Sequence, residues 1–156
     1  GRWQSAGGPA LGAFAFTAVP FALVAVIALP MVENRPLSAG EESILSPRPF
    51  SEEALAEARN GGKPVFLWFT ADWCLTCKVN ESVAIEREET RAAFEKAGVV
   101  ALRGDWTRRD PEITRFLTAH GAAGVPLYLW YPAGGEARQL PQVLTPDALV
   151  SLASQD

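Results

Sequence analysis

The apolar positions of this chain fall into segments of different period. From Trp3 to Val32 no side chain carries a charge, and Pro9 to Met31 (PALGAFAFTAVPFALVAVIALPM) is apolar apart from Thr17. Such a run exceeds the ~20 residues that cross a bilayer as a helix, so residues 1–32 are expected to hold a transmembrane helix over 9–31. A cleaved secretory signal with Arg2 as its basic end is the competing reading, but a signal core usually runs only ~7–15 residues. Pro20 suits a membrane helix whose neighbours re-satisfy the freed carbonyl. Because the chain opens on Gly1 rather than methionine, the expectation is the last span of a larger membrane domain. Arg2 before the span and Glu33, Arg35, Glu41 and Glu42 after it hint that the C-terminal part lies outside the cytoplasm.

Residues 33–50 (ENRPLSAGEESILSPRPF) hold prolines and charges without an apolar period and read as a tether. From Ser51 the pattern becomes globular. Ser51 is placed to cap a helix with Glu52 and Glu53 in its first turn and Asn60-Gly61-Gly62 at its end. Val65 to Phe69 is a continuous apolar run, as expected for a strand covered on both faces. A helical pattern starts in Ala71-Asp72-Trp73-Cys74-Leu75-Thr76-Cys77-Lys78. A further helix is expected over about 88–97, closing at Gly98, then a buried strand from Val99 to Leu102. Asp110-Pro111 opens a helix that runs to about His120. Leu127 to Tyr131, a Pro-Ala-Gly-Gly turn and a short strand near 137–140 come next, and Thr145-Pro146-Asp147 caps the last helix. The fold class is therefore α/β, with a mixed sheet that starts parallel and ends in a hairpin.

The chain has 156 residues with 14 basic and 18 acidic side chains, a net charge of −4, and no basic run beyond Arg108-Arg109. No nucleic acid is expected as a partner. Residues 51–156 are long enough to build a modest core without structural disulfides, which leaves the chain's two cysteines, Cys74 and Cys77, free for chemistry.

Cys-x-x-Cys at a strand-to-helix junction is the spacing that thiol–disulfide exchange requires. Two intervening residues in a first helical turn bring the sulfurs within bonding reach. Cys74 meets the unpaired N–H groups and positive pole of the helix, which favour a thiolate and make it the nucleophile. Cys77, one turn on and more buried, is the resolving thiol. A zinc site would need about four ligands, and His120 is the sole histidine, so no metal is expected. A static disulfide closing so short a loop would gain less entropy than a long one.

Phe69 to Glu81 (FTADWCLTCKVNE), together with Gly124-Val125-Pro126-Leu127, resembles the C-terminal thioredoxin-like domain of the membrane thiol:disulfide interchange proteins of the DsbD and ScsB type. The resemblance covers most of residues 51–156 and is most specific in Trp73-Cys74-x-x-Cys77-Lys78-x-x-Glu81. It implies a thioredoxin-like fold behind the last membrane helix, and a protein-disulfide reductase that needs no cofactor beyond its Cys74–Cys77 pair. The electron donor would be an upstream membrane domain and the acceptor a periplasmic thiol–disulfide protein or domain. The implied location is the inner membrane, with the C-terminal domain in the periplasm.

The resemblance also makes Pro126 a cis-proline beside the dithiol, leaving Val125 and Trp73 to meet a substrate segment. Glu81, four residues after Cys77, becomes a candidate proton acceptor. Trp68 stands where many thioredoxin-like domains carry a buried aspartate, so that acid is missing. Asp72 and His120 read as loop and helix-end residues. Two other readings stay open: a stand-alone membrane-anchored thioredoxin serving cytochrome c maturation, and a non-catalytic adaptor that uses the fold only to dock.

Overall fold

Ser51 stands in extended backbone, and its hydroxyl accepts from the Ala54 amide at 3.0 Å. That bond satisfies one of the N–H groups a helix start leaves unpaired and opens helix α1, Glu52–Asn60. The same device recurs at Asp110, which caps α4 (Pro111–Ala119), and at Thr145, which caps α5 (Pro146–Ala153). Helix α3, Glu88–Ala97, ends on Gly98 at φ 67°, a left-handed position that glycine takes without steric cost. The computed structural model describes residues 43–155; the expected span over 9–31 and most of the tether lie outside them. Among the described residues no helix is long and apolar enough to cross a membrane.

Among the described residues five strands form one sheet in the order β1-β3-β2-β4-β5. They are β1 Arg48–Pro49, β2 Val65–Thr70, β3 Val100–Asp105, β4 Leu127–Tyr131 and β5 Arg138–Gln139. β1 and β2 run parallel to β3, whereas β4 is antiparallel to β2 and β5 to β4. Every residue of β2 is buried, because the sheet is covered on both sides. Val65, Leu67 and Phe69 pack with Leu55 of α1 and Ile113, Phe116 and Leu117 of α4. Phe66 and Trp68 point the other way, to Phe94 of α3 and Leu149 and Leu152 of α5. Burial of each such side chain contributes roughly 1.5–3 kcal/mol.

One feature differs from expectation and a second was not anticipated. The domain starts ahead of Ser51: Arg48 and Pro49 pair with Leu102 and Arg103, and the Phe50 amide donates to the Arg103 carbonyl at 2.8 Å. The Phe50 ring meets Phe69 and Phe116 edge-on, each at 4.8 Å. Pro49 disguised this strand, yet proline is tolerated at a sheet edge, where its missing N–H is not needed. Second, the helix that begins after Cys74 does not end cleanly. Helix α2, Leu75–Asn80, runs into a π-helical turn, Glu81–Ile85, closed by the Glu86 amide on the Glu81 carbonyl at 2.7 Å.

Candidate active site

β2 delivers the chain to Ala71, and the Cys74 amide donates back to the Ala71 carbonyl at 3.0 Å, making the turn from which α2 rises. Cys74 is the N-cap of that helix, and its Sγ accepts from the Cys77 amide at 3.2 Å. The two cysteines form a disulfide with a Cα–Cα distance of 5.3 Å. Cys74 is 7% exposed and Cys77 1%, so the edge of the pair that meets solvent belongs to Cys74. A backbone N–H aimed at the Cys74 sulfur favours the thiolate once the bond is reduced.

The structure gathers residues from distant parts of the sequence around this disulfide. Val125 packs against Ala71, Cys74 and Cys77, and the Val125–Pro126 peptide is cis. Trp73 is 55% exposed, its indole held by the loop after β3. Exposed Leu75 and Val79 extend the apolar surface along α2.

Glu81 pairs with Lys78 at 3.0 Å, its side chain only 14% exposed. Its Oε1 is buried and takes no hydrogen bond among the described residues. Trp68 is 1% exposed and stacks on Phe66 at 5.3 Å, so an indole fills this place, its Nε1 buried without a hydrogen-bond partner among the described residues. Asp72 is exposed. His120 ends α4, with its ring on Phe116 at 4.2 Å and Nδ1 at 2.9 Å from the Phe116 carbonyl. Among the described residues no group of three or more His, Cys, Asp or Glu gathers to hold a metal ion.

The described chain from Ser46 through β2, the disulfide, β3 and β4 carries one family's pattern: residues 46–133 match the thioredoxin-like family. The chain belongs to the thioredoxin-like family. It is 35% identical over 101 residues to thiol:disulfide interchange protein DsbD 1 of Pseudomonas aeruginosa, covering 65% of this chain and 17% of that protein. DsbD 2 of the same organism is 29% identical over 141 residues, 89% of this chain and 23% of the relative. The chain thus spans less than a quarter of the length of these curated relatives. Among solved structures, the oxidised C-terminal domain of Neisseria meningitidis DsbD superimposes with a TM-score of 0.51 at 27% identity, covering 66% of this chain and 86% of that one. A thioredoxin from Thermus thermophilus, at 19% identity and TM-score 0.54, shares the fold.

Within this thioredoxin-like fold, two groups near the dithiol escaped sequence reasoning. Asn80 is buried beneath α2, where its Nδ2 donates to the Tyr128 hydroxyl at 2.9 Å and the Gln142 carbonyl at 2.6 Å, while its Oδ1 accepts from the Leu144 amide at 3.1 Å. Burial pushes the Tyr128 phenol up to about 12; the Asn80 bond opposes this and the nearby Glu81 charge adds to it. The second group is the loop of Trp106 and Thr107, which touches the segment ahead of Cys74. Neither asparagine nor threonine carries a local signature for such a place, since both partners arrive from far along the chain.

Proposed function

We propose that this domain is a protein-disulfide reductase whose Cys74–Cys77 dithiol takes electrons from a membrane domain and passes them to partner proteins. The observation that carries the reading is the sulfur of Cys74 at a helix N-cap, receiving the Cys77 amide at 3.2 Å, with Val125 packed against the pair. The thioredoxin-like fold and the similarity to named thiol:disulfide interchange proteins support it.

In the reducing direction, the Cys74 thiolate attacks one sulfur of a partner cystine. A Cys74–partner bond forms, and the partner's second sulfur leaves as a thiolate that takes up a proton. Cys77 then loses its proton and attacks the Cys74 sulfur, which closes the internal disulfide and releases the other partner thiol. Two electrons leave the dithiol. The membrane domain restores them, and one proton returns to Cys77 to regenerate the thiolate–thiol pair. In this scheme Glu81 accepts the Cys77 proton, since its carboxylate is nearly buried beyond the resolving cysteine and one oxygen is uncommitted. Trp73, Val125 and Pro126 meet the incoming chain segment.

The finer placement is part of the same proposal. Residues 9–31 would form the last helix of the membrane domain, and the dithiol domain would work on the periplasmic side of the inner membrane. Similarity to DsbD 2 of Pseudomonas aeruginosa covers 89% of this chain and so extends ahead of Ser43, which supports continuity between the two parts.

The test is a trapped intermediate. In the 156-residue chain, Cys77→Ser leaves Cys74 without its resolving partner, so a mixed disulfide with a peptide cystine should accumulate on non-reducing gels. Trapping by Cys74→Ser instead would reverse the two roles, and no adduct in either variant would sink the reading.

A further inference from the structure

Asp105 ends β3, and its Oδ1 accepts from the Thr107 amide at 2.9 Å and from the Thr107 hydroxyl at 2.5 Å. A hydroxyl that donates in one direction keeps lone pairs for another. The Thr107 oxygen uses one to accept from the Asp72 amide at 3.0 Å, and the Thr107 carbonyl accepts from Trp73 Nε1 at 3.2 Å. One residue therefore holds the two positions immediately before Cys74.

The neighbouring Trp106 backs this clamp. Its ring lies 6.0 Å from that of Trp73, and its Nε1 donates to the Thr114 hydroxyl at 2.9 Å. A Cβ at Gly124 would come within 3.1 Å of the Trp106 ring, so the chain entering Val125–Pro126 rests on the same indole. An exposed tryptophan with a free indole would sample several rotamers; Trp73, at 55% exposure, is fixed by a hydrogen bond and a ring contact.

We propose that Thr107 is a positioning residue for disulfide exchange: it fixes the Asp72–Trp73 backbone and the exposed Trp73 indole as a preformed wall beside Cys74, against which a cystine-bearing protein segment docks. The inference rests on the reductase reading above. Neither the Thr107 hydroxyl nor Asp105 touches the sulfurs, so their effect is on docking of a large partner and not on the chemistry of the dithiol.

Thr107→Val removes the hydroxyl at nearly constant shape, and Thr107→Ser retains it. With the 156-residue chain, insulin as the protein disulfide and dithiothreitol as electron source, Thr107→Val should raise KM for insulin about fivefold, the size of one net hydrogen bond. Its kcat, and the rate at which dithiothreitol alone reduces Cys74–Cys77, should stay within about twofold of wild type. Thr107→Ser should restore KM. A purely structural threonine would lower the melting temperature and leave KM unchanged. Should Thr107→Val fail to fold, Asp105→Asn, which weakens the same acceptor, must show the same split. Unchanged KM in the folded variant, or a fall in kcat alone, overturns the clamp while wild-type turnover leaves the reductase reading standing. Wild-type chain that leaves insulin intact overturns that reading and the clamp together.

Discussion

Asn80 donates its side-chain amide to the Tyr128 hydroxyl at 2.9 Å, joining the end of the cysteine-bearing helix to strand β4. The same side chain closes on the backbone of residues 142 and 144, so all of its polar atoms are used while it is 2% exposed. Asn80→Ala would leave the buried Tyr128 hydroxyl and Leu144 amide, and the part-buried Gln142 carbonyl, without these partners. The expected loss is about 3 kcal/mol. Urea denaturation measures it, and a loss within the few tenths typical of a surface site would mean the network is not structural.

Gly104 is required by its neighbour and not by its backbone angles. A Cβ there would sit 2.3 Å from Cδ1 of Phe69, whose ring is held by Phe50 and Phe116 at 4.8 and 5.2 Å. Gly104→Ala should cost about 2 kcal/mol through overpacking. Adding Phe69→Leu should return part of that loss, because the two changes share one space. Simple additivity of the two in thermal or chemical unfolding would refute the steric account.

Both tyrosines of the chain hold their protons beyond the ordinary 10.0, chiefly through burial: Tyr128 up to about 12, and Tyr131 upward, with the Arg59 guanidinium opposing. The unfolded chain ionises its phenols first, so it binds fewer protons than the native state above pH 10. Stability should therefore be independent of these groups below pH 10 and fall as pH rises from there towards about 12. Ultraviolet absorbance of phenolate, followed alongside urea unfolding, reads both effects. Phenolate appearing in the folded protein at the ordinary pH would contradict the burial.

Glu81→Gln separates proton transfer from packing, since it keeps the shape and removes the charge. If Glu81 accepts the Cys77 proton, closure of a Cys74 mixed disulfide should slow by about a hundredfold. Formation of the mixed disulfide at Cys74 should change little. The Tyr128 phenol should also move down, because the negative charge that helps raise it is gone. Closure at the wild-type rate across the pH range would leave the proton to water.

Much of the fold was legible because its signals are local. Ser51, Asp110 and Thr145 each cap an amide two or three residues on, a bond that depends on neighbours in sequence. Val65 to Phe69 reads as a strand buried on both faces because every position is apolar, and every position is indeed buried. The Cys74–Cys77 pair needed only its spacing. What escaped was set by partners far along the chain: Arg48 and Pro49 become a strand only because β3 offers an edge, and the turn at Glu81–Ile85 carries no sequence mark.

The sequence by itself therefore determined the dithiol, its place at the start of a helix and the elements around it, all through interactions spanning a few residues. Tertiary structure alone decided what surrounds the sulfurs. Val125 reaches them from the loop ahead of β4, Thr107 grips the residues before Cys74 from the loop after β3, and Asn80 anchors the helix behind them. Hydrogen bonds and packing across 34 to 64 residues depend on sheet register and helix placement, and no local pattern of residue types encodes those.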